Sequence, residues 1–287
     1  MIEPALTLKL QCLREMLRDL GRVAVAFSGG VDSTFVLRVA ADTLGAENVV
    51  AVTGISSSLP RRDLRRAEVL TASMGVTHLL VDPGEFQDAN YLANPANRCY
   101  HCKTALYGRM RPILAEHRLA AVLCGTNVDD LGDYRPGLAA AEEAGVRSPC
   151  VVAGLSKADI RAISAEMGLP THDQPASPCL SSRVPYGEAI TPEKLLMIER
   201  AENFLHDQGF RECRVRHHGE LARIEVPVDR IESLAASDLR SRIDAAFREF
   251  GFRHVTIDLR GFRSGSLNEV IAFGRRQAVG PSGGRAG

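Results

Sequence analysis

Three groups of residues in this chain have the types and spacing to do chemistry. The first is Ser28-Gly29-Gly30-Val31-Asp32-Ser33. Two glycines let the backbone approach an anion closely, the serines add hydroxyl donors, and a carboxylate beside a phosphate calls for Mg²⁺. The second group is thiols: Cys99 and Cys102 in C-x-x-C spacing, and Cys179 in a stretch rich in Pro, Ser and Arg. A guanidinium close to a thiol favours thiolate, which brings Arg183 into consideration. The third is Arg214 and Arg216, two apart and therefore on one face of a strand, a pair suited to a phosphate or a carboxylate. Each group has a plainer alternative: a serine-capped glycine turn, small packed cysteines, and a solvated basic strand edge.

The elements around these residues narrow the choice. Val23-Ala24-Val25-Ala26 reads as a strand before the glycines, and Thr34 to Ala41 as a helix after them. A strand, a glycine turn and a helix N-terminus converge unpaired N–H groups and the positive end of a dipole on one point. The string is neither G-x-x-x-x-G-K-[ST] nor G-x-G-x-x-G. A helix over 5–20, with Leu6, Leu10, Leu13 and Leu17 on one face, precedes it. Further strands at 48–54, 77–82 and 120–127 alternate with helices at 61–74 and 103–117. Unbroken apolar strands joined by helices predict an α/β, doubly wound parallel sheet, with ligands at its C-terminal edge. Cys99 and Cys102 fall in an irregular loop within 83–104, and His78, near a strand start, reads as structural.

Short helices are expected at 139–144 and 157–167, the second with Ser156 as N-cap and Asp159 as its capping-box acid. The proline-rich stretch 174–187 is the best domain boundary. Beyond it, Thr191 and Pro192 open a helix that ends near Gly209, 213–218 and 221–226 form a hairpin, 229–250 is helical, and 254–259 is a strand. Residues 268–271 are a candidate closing strand. The layout is therefore a nucleotide domain over 1–175, a working loop over 176–190, a smaller α+β domain over 191–278, and a disordered tail over 279–287.

Bulk composition removes several classes. Of 287 residues, 45% are apolar and 24% charged, as in a globular protein with real cores. Lys plus Arg equals Asp plus Glu at 35 each, so no net charge favours nucleic acid. The apolar runs are strand-sized, which argues against a membrane span, and Met1-Ile2-Glu3-Pro4 lacks the order of a signal peptide. A cytoplasmic protein is expected, its seven cysteines being reduced thiols, metal ligands or catalytic groups.

The string Ser-Gly-Gly-Val-Asp-Ser resembles the PP-loop of the N-type ATP pyrophosphatases, which split ATP between its α and β phosphates and adenylate an oxygen. Gly125-Thr126-Asn127-Val128-Asp129-Asp130 after a strand is similar to the same superfamily. Pro178-Cys179-Leu180-Ser181-Ser182-Arg183-Val184-Pro185-Tyr186-Gly187 and Arg214-Val215-Arg216-His217-His218-Gly219 resemble the LarE family over nearly the whole chain. Those proteins are ATP-dependent sulfur transferases that help build a nickel-pincer nucleotide cofactor. The resemblance implies ATP bound by Ser28, Gly29, Gly30, Asp32, Ser33, Thr53, Gly125 and Asn127, with Mg²⁺ on Asp32. Which of Asp129, Asp130 and Asp133 would add to the metal site is not readable. It implies a pyridinium dicarboxylate mononucleotide as substrate, held by Arg183, Arg214 and Arg216, and a homo-oligomer. It implies catalysis by Cys179. In the simpler members the thiolate displaces AMP and its own C–S bond then breaks, leaving dehydroalanine. Three thiolates, Cys99, Cys102 and Cys179, could instead hold a [4Fe–4S] cluster with one iron open for sulfide. Zn²⁺ with His101, a C-x-x-C redox pair and two unrelated cysteines are the alternatives. Rival functions are an amide-forming ligase of the NAD-synthetase sort, a tRNA thiolase and a nucleotide-binding regulator.

Overall fold

A computed structural model describes residues 3–132 and 135–263. It divides into two compact units, Met1–Cys179 and Leu180–Gly287, split inside the stretch read as a working loop.

In the first unit, α1 (Pro4–Leu20) buries Leu10, Leu13 and Leu17, as its leucine stripe requires. Then follow β1 (Val23–Ala26), α2 (Val31–Leu44), β2 (Val49–Gly54), α3 (Arg61–Met74) and β3 (Thr77–Val81). After them come α4 (Ala89–Leu92), α5 (Arg98–Glu116), β4 (Ala121–Leu123), α6 (Pro136–Glu143), α7 (Pro149–Val152) and α8 (Lys157–Glu166). All four strands are parallel, in the order β3-β2-β1-β4. One apolar cluster, including Leu13, Phe35, Val25 and Ile160, covers one face of the sheet. A second, with Tyr107, Met110 and Val122, covers the other. Burial on both faces is what makes the strands continuous Val/Ala runs. Chain order reverses between β1 and β4, so the loops leaving these neighbouring strands diverge and open a crevice at their C-terminal ends.

In the second unit, α9 (Pro192–Asp207) starts where expected, with the Thr191 hydroxyl accepting from Lys194 N. The strands β5 (Arg214–His218) and β6 (Leu221–Glu225) form the antiparallel hairpin, and β7 (His254–Ile257) pairs parallel to β6. The parallel pair needs a crossover, supplied by α10 (Ile231–Ala235) and α11 (Ser237–Glu249). The continuous helix expected over 229–250 is therefore corrected: Ala236 is extended (φ −54°, ψ 139°) and interrupts it. Phe247, Phe252, Val215 and Ile224 centre its core. The candidate closing strand 268–271, the tail 279–287 and Asp133 lie outside the described residues. Among the described residues no helix is long and apolar enough to cross a membrane.

Candidate active site

The glycine turn leaves β1 at the switch point. Gly29 takes φ +69°, and a Cβ there would press on the Ala67 Cβ and N at 3.3 Å, so glycine is needed twice over. Gly30 precedes α2 in extended geometry with no side chain capping the helix, so its first N–H groups remain for an anion. Ser33 Oγ donates to Gly30 O at 3.2 Å and lies 3.1 Å from Ser28 Oγ, which fixes both hydroxyls at the helix mouth.

The loop after β4 closes on this mouth. A Cβ on Gly125 would come within 2.8 Å of Ser33 N and 2.9 Å of Asp32 Cβ. No side chain fits there. Asn127 Nδ2 donates to Asp32 Oδ1 at 3.3 Å, and the Lys157 ammonium contacts Asp32 Oδ2. Lys157, from the first turn of α8, is a residue that the sequence reading passed over as an ordinary helix start. The neighbouring acids have other partners. Asp129 accepts from Lys157 N at 2.8 Å, while Asp130 accepts from Asn127 N at 3.1 Å and pairs with Arg135 at 2.6 Å. Asp32, a quarter exposed, is the carboxylate turned toward the loop. The residues fit Mg²⁺ chemistry in donor type, the ion replacing the ammonium as Asp32's counter-charge.

Beside this, Thr53 is buried at the end of β2. Its hydroxyl donates to Phe27 O at 2.8 Å and meets His78 Nε2 at 2.7 Å, so its described contacts tie β2 to the glycine turn. His78 has the structural place expected of it, packed edge-to-face on Phe27 and pulled below its ordinary pKa by burial.

Cys99 and Cys102 are not in a loop. They lie one turn apart at the start of α5, so the loop reading of 83–104 is corrected. Asn97, in N-cap position two residues after Pro95, was the available signal. Cys99 is an exposed residue and Cys102 is half-buried, and the protein around their sulfurs limits the hydration of a thiolate. That desolvation, and then the neighbouring Cys179 sulfur, pushes both thiols above their ordinary pKa. The buried Arg98 guanidinium, held by Asn94 Oδ1 at 2.5 Å, opposes the rise at Cys99. Cys179 is half-buried. The three cysteines thus feel one another, but among the described residues no three His, Cys, Asp or Glu side chains are gathered closely enough to hold a metal.

In the second unit the arginines are not on a solvated edge. Arg183, Arg214 and Arg216 are all buried. Glu202 grips Arg183 with two bonds of 2.8 and 2.9 Å, and Glu225 grips Arg216 at 3.0 and 2.8 Å. Burial would raise the Glu202 carboxyl, but Arg183, Arg214 and the Val215 N–H hold it below its usual range. Arg214 lies 5.0 Å over the Phe262 ring and donates to Cys213 O at 2.6 Å. Burial and the Arg183 charge lower its pKa, a repulsion that a bound anion would relieve. Neither carboxylate partner was singled out in the sequence.

The first unit thus carries a glycine-loop anion site and the second two buried arginine–glutamate pairs, and known proteins are similar to this chain across both units. The chain is 39% identical over 266 residues to the pyridinium-3,5-bisthiocarboxylic acid mononucleotide synthase of Lactiplantibacillus plantarum, spanning 93% of this chain and 96% of that one. It belongs to the LarE family. An uncharacterised protein of Synechocystis is 46% identical over 92% of this chain and 98% of its own. The NAD synthase family model matches residues 9–111, which run from α1 into α5 and include the PP-loop. An argininosuccinate synthase of Natronomonas pharaonis shares 31% identity over only 99 residues. The Lactiplantibacillus plantarum and Synechocystis matches both extend into the second unit, and the protein is an ATP-dependent PP-loop enzyme.

Proposed function

We propose that this enzyme adenylates a carboxylate of a pyridinium dicarboxylate mononucleotide and converts it to a thiocarboxylate. The observation that carries this is the end-to-end similarity to a synthase whose name states a pyridinium bisthiocarboxylate product. An amide-forming ligase or a tRNA thiolase accounts for the PP-loop but not for that full-length match.

In the first stage, Ser28, Gly29, Gly30 and Ser33 cradle the phosphates, with Thr53, Gly125 and Asn127 completing the ATP site. Asp32 would hold Mg²⁺, which supplies charge neutralisation for the leaving pyrophosphate. Lys157, released from Asp32, would be a cation free to turn to the same phosphates. The substrate carboxylate attacks the α-phosphorus and expels pyrophosphate. Arg183, Arg214 and Arg216 bind the substrate's remaining anionic groups.

In the second stage, the Cys179 thiolate attacks the acyl carbon and AMP leaves. Loss of the Cys179 Cα proton with cleavage of its Cβ–S bond then gives dehydroalanine and the thiocarboxylate. A second reading keeps Cys179 intact as one of three cluster ligands with Cys99 and Cys102. It is favoured by the electrostatic contact among these sulfurs. Their thiolate donors suit iron in type, and no step is derived through a cluster. We also read the enzyme as a homo-oligomer, from the family likeness.

The test is one turnover of anaerobically purified protein with ATP, Mg²⁺ and the dicarboxylate, followed by product analysis, peptide mass mapping and iron assay. A thiocarboxylate with dehydroalanine at residue 179 supports the sacrificial route. A thiocarboxylate with Cys179 intact and iron present supports the cluster. Neither product nor AMP would refute the assignment.

A further inference from the structure

Helix α3 carries several charged residues, and two of them, Asp63 and Arg66, are held by protein groups. Asp63 is buried at 7% exposure. One of its oxygens accepts from Arg66 at 2.7 Å and the other from Ser177 Oγ at 2.9 Å. Arg66 Nε in turn donates to the carbonyl of Gly29 at 3.1 Å. The Gln174 amide, turned so that its oxygen meets the guanidinium, accepts from Arg66 at 2.8 Å. Arg161 holds the same segment from behind, through His172 O at 2.6 Å and Gln174 O at 2.7 Å. One ion pair therefore touches the PP-loop at one end and, at the other, the segment that ends two residues later in Cys179.

We infer that Asp63 and Arg66 are positioning residues that hold the Cys179 segment in register with the nucleotide loop. Gly29 rests on Ala67 of the same helix, so a shift of its carbonyl on triphosphate binding moves against a rigid neighbour. The guanidinium fork is the part able to follow it, because its donors are fixed in one plane and serve Gly29, Asp63 and Gln174 together. Ser177 then transmits the change along a short segment rather than through the core. The inference rests on the reading that Cys179 acts on the acyl-adenylate.

The test uses full-length protein, iodoacetamide and peptide mapping of Cys179 with and without Mg²⁺·ATP, the exposed Cys12 serving as internal control. In the wild type, nucleotide changes the Cys179 alkylation rate severalfold. In Ser177→Ala and Asp63→Asn, ATP affinity stays within roughly threefold, but the rate no longer responds to nucleotide. Thiocarboxylate formation falls about tenfold or more while pyrophosphate exchange persists. Arg66→Lys keeps the charge and loses the fork, and behaves likewise. The inference is overturned if Cys179 in the wild type ignores nucleotide, or if Ser177→Ala and Asp63→Asn both respond as the wild type does. Absence of substrate-dependent exchange in the wild type would instead defeat the functional reading, because the alkylation arm needs only ATP.

Discussion

Asp32 of the first unit and the two buried glutamates of the second are paired with cations in opposite ways. Asp32 and Lys157 meet with a quarter and a third of their side chains exposed, and Asp32's second oxygen has only a 3.3 Å bond from Asn127. Glu202 and Glu225 are almost wholly buried, and each takes two bonds from one guanidinium. An exposed pair is worth about 0–1 kcal/mol and is easily exchanged. A buried bidentate pair resists exchange, because separating it strands a charge away from water. The first unit thus leaves Asp32 in an exchangeable pair, while the second spends Glu202 and Glu225 on holding arginines still. That contrast suits one site whose ligand brings its own cation and another that must present fixed positive charge.

Breaking a buried pair should have the largest effect. Glu202→Ala leaves Arg183 uncompensated and should cost about 3–5 kcal/mol of unfolding free energy, whereas Asp32→Ala should cost about 1 kcal/mol or less. Urea unfolding of both variants checks this, and equal losses would erase the distinction between the units.

The arginines proposed to bind substrate sharpen the comparison. Arg214→Ala removes a buried guanidinium that lies over the Phe262 ring and donates to Cys213 O. It should weaken dicarboxylate binding about ten- to hundredfold and leave ATP binding intact, as titration calorimetry would record. Arg216→Ala should weaken binding too, but with a loss of stability from the stranded Glu225.

A smaller effect concerns pH. Burial, the first cause in each case, pulls His78, His217 and His218 below their ordinary value of 6.5. The unfolded chain therefore binds protons that the folded chain refuses, and stability falls as pH drops through about 6.5 and below. Glu202, held below the carboxylate range, adds to the loss at still lower pH with the same sign. Thermal unfolding from pH 8 to pH 5 should show a falling midpoint. A flat or rising midpoint would contradict the burial of these imidazoles.

How much of this was legible beforehand depended on sequence distance. The PP-loop, the Ser156–Asp159 capping box and the Thr191 cap all act within a few residues, and each stands where its local pattern puts it. The parallel sheet followed from apolar runs alternating with helices. Lys157, by contrast, meets Asp32 across 125 positions, and Ser177 meets Asp63 across 114. A lysine at a helix start and a serine in a proline-rich loop carry no local mark of such pairing. Arg214 and Arg216 were legible as a same-face pair, but their burial was not, because it depends on Glu202 and Glu225 arriving from other elements. The start of α5 was missed because Arg98-Cys99-Tyr100-His101-Cys102 has no apolar period to announce a helix.

The central claim is that this PP-loop activates a carboxylate of a pyridinium dicarboxylate mononucleotide. Exchange of labelled pyrophosphate into ATP tests it most directly, because exchange requires a reversible adenylate and does not depend on the fate of sulfur. Exchange should appear only when the dicarboxylate is present, should persist in Cys179→Ala, and should vanish in Asp32→Ala. Exchange that ignores the dicarboxylate, or that survives loss of Asp32, would contradict the account.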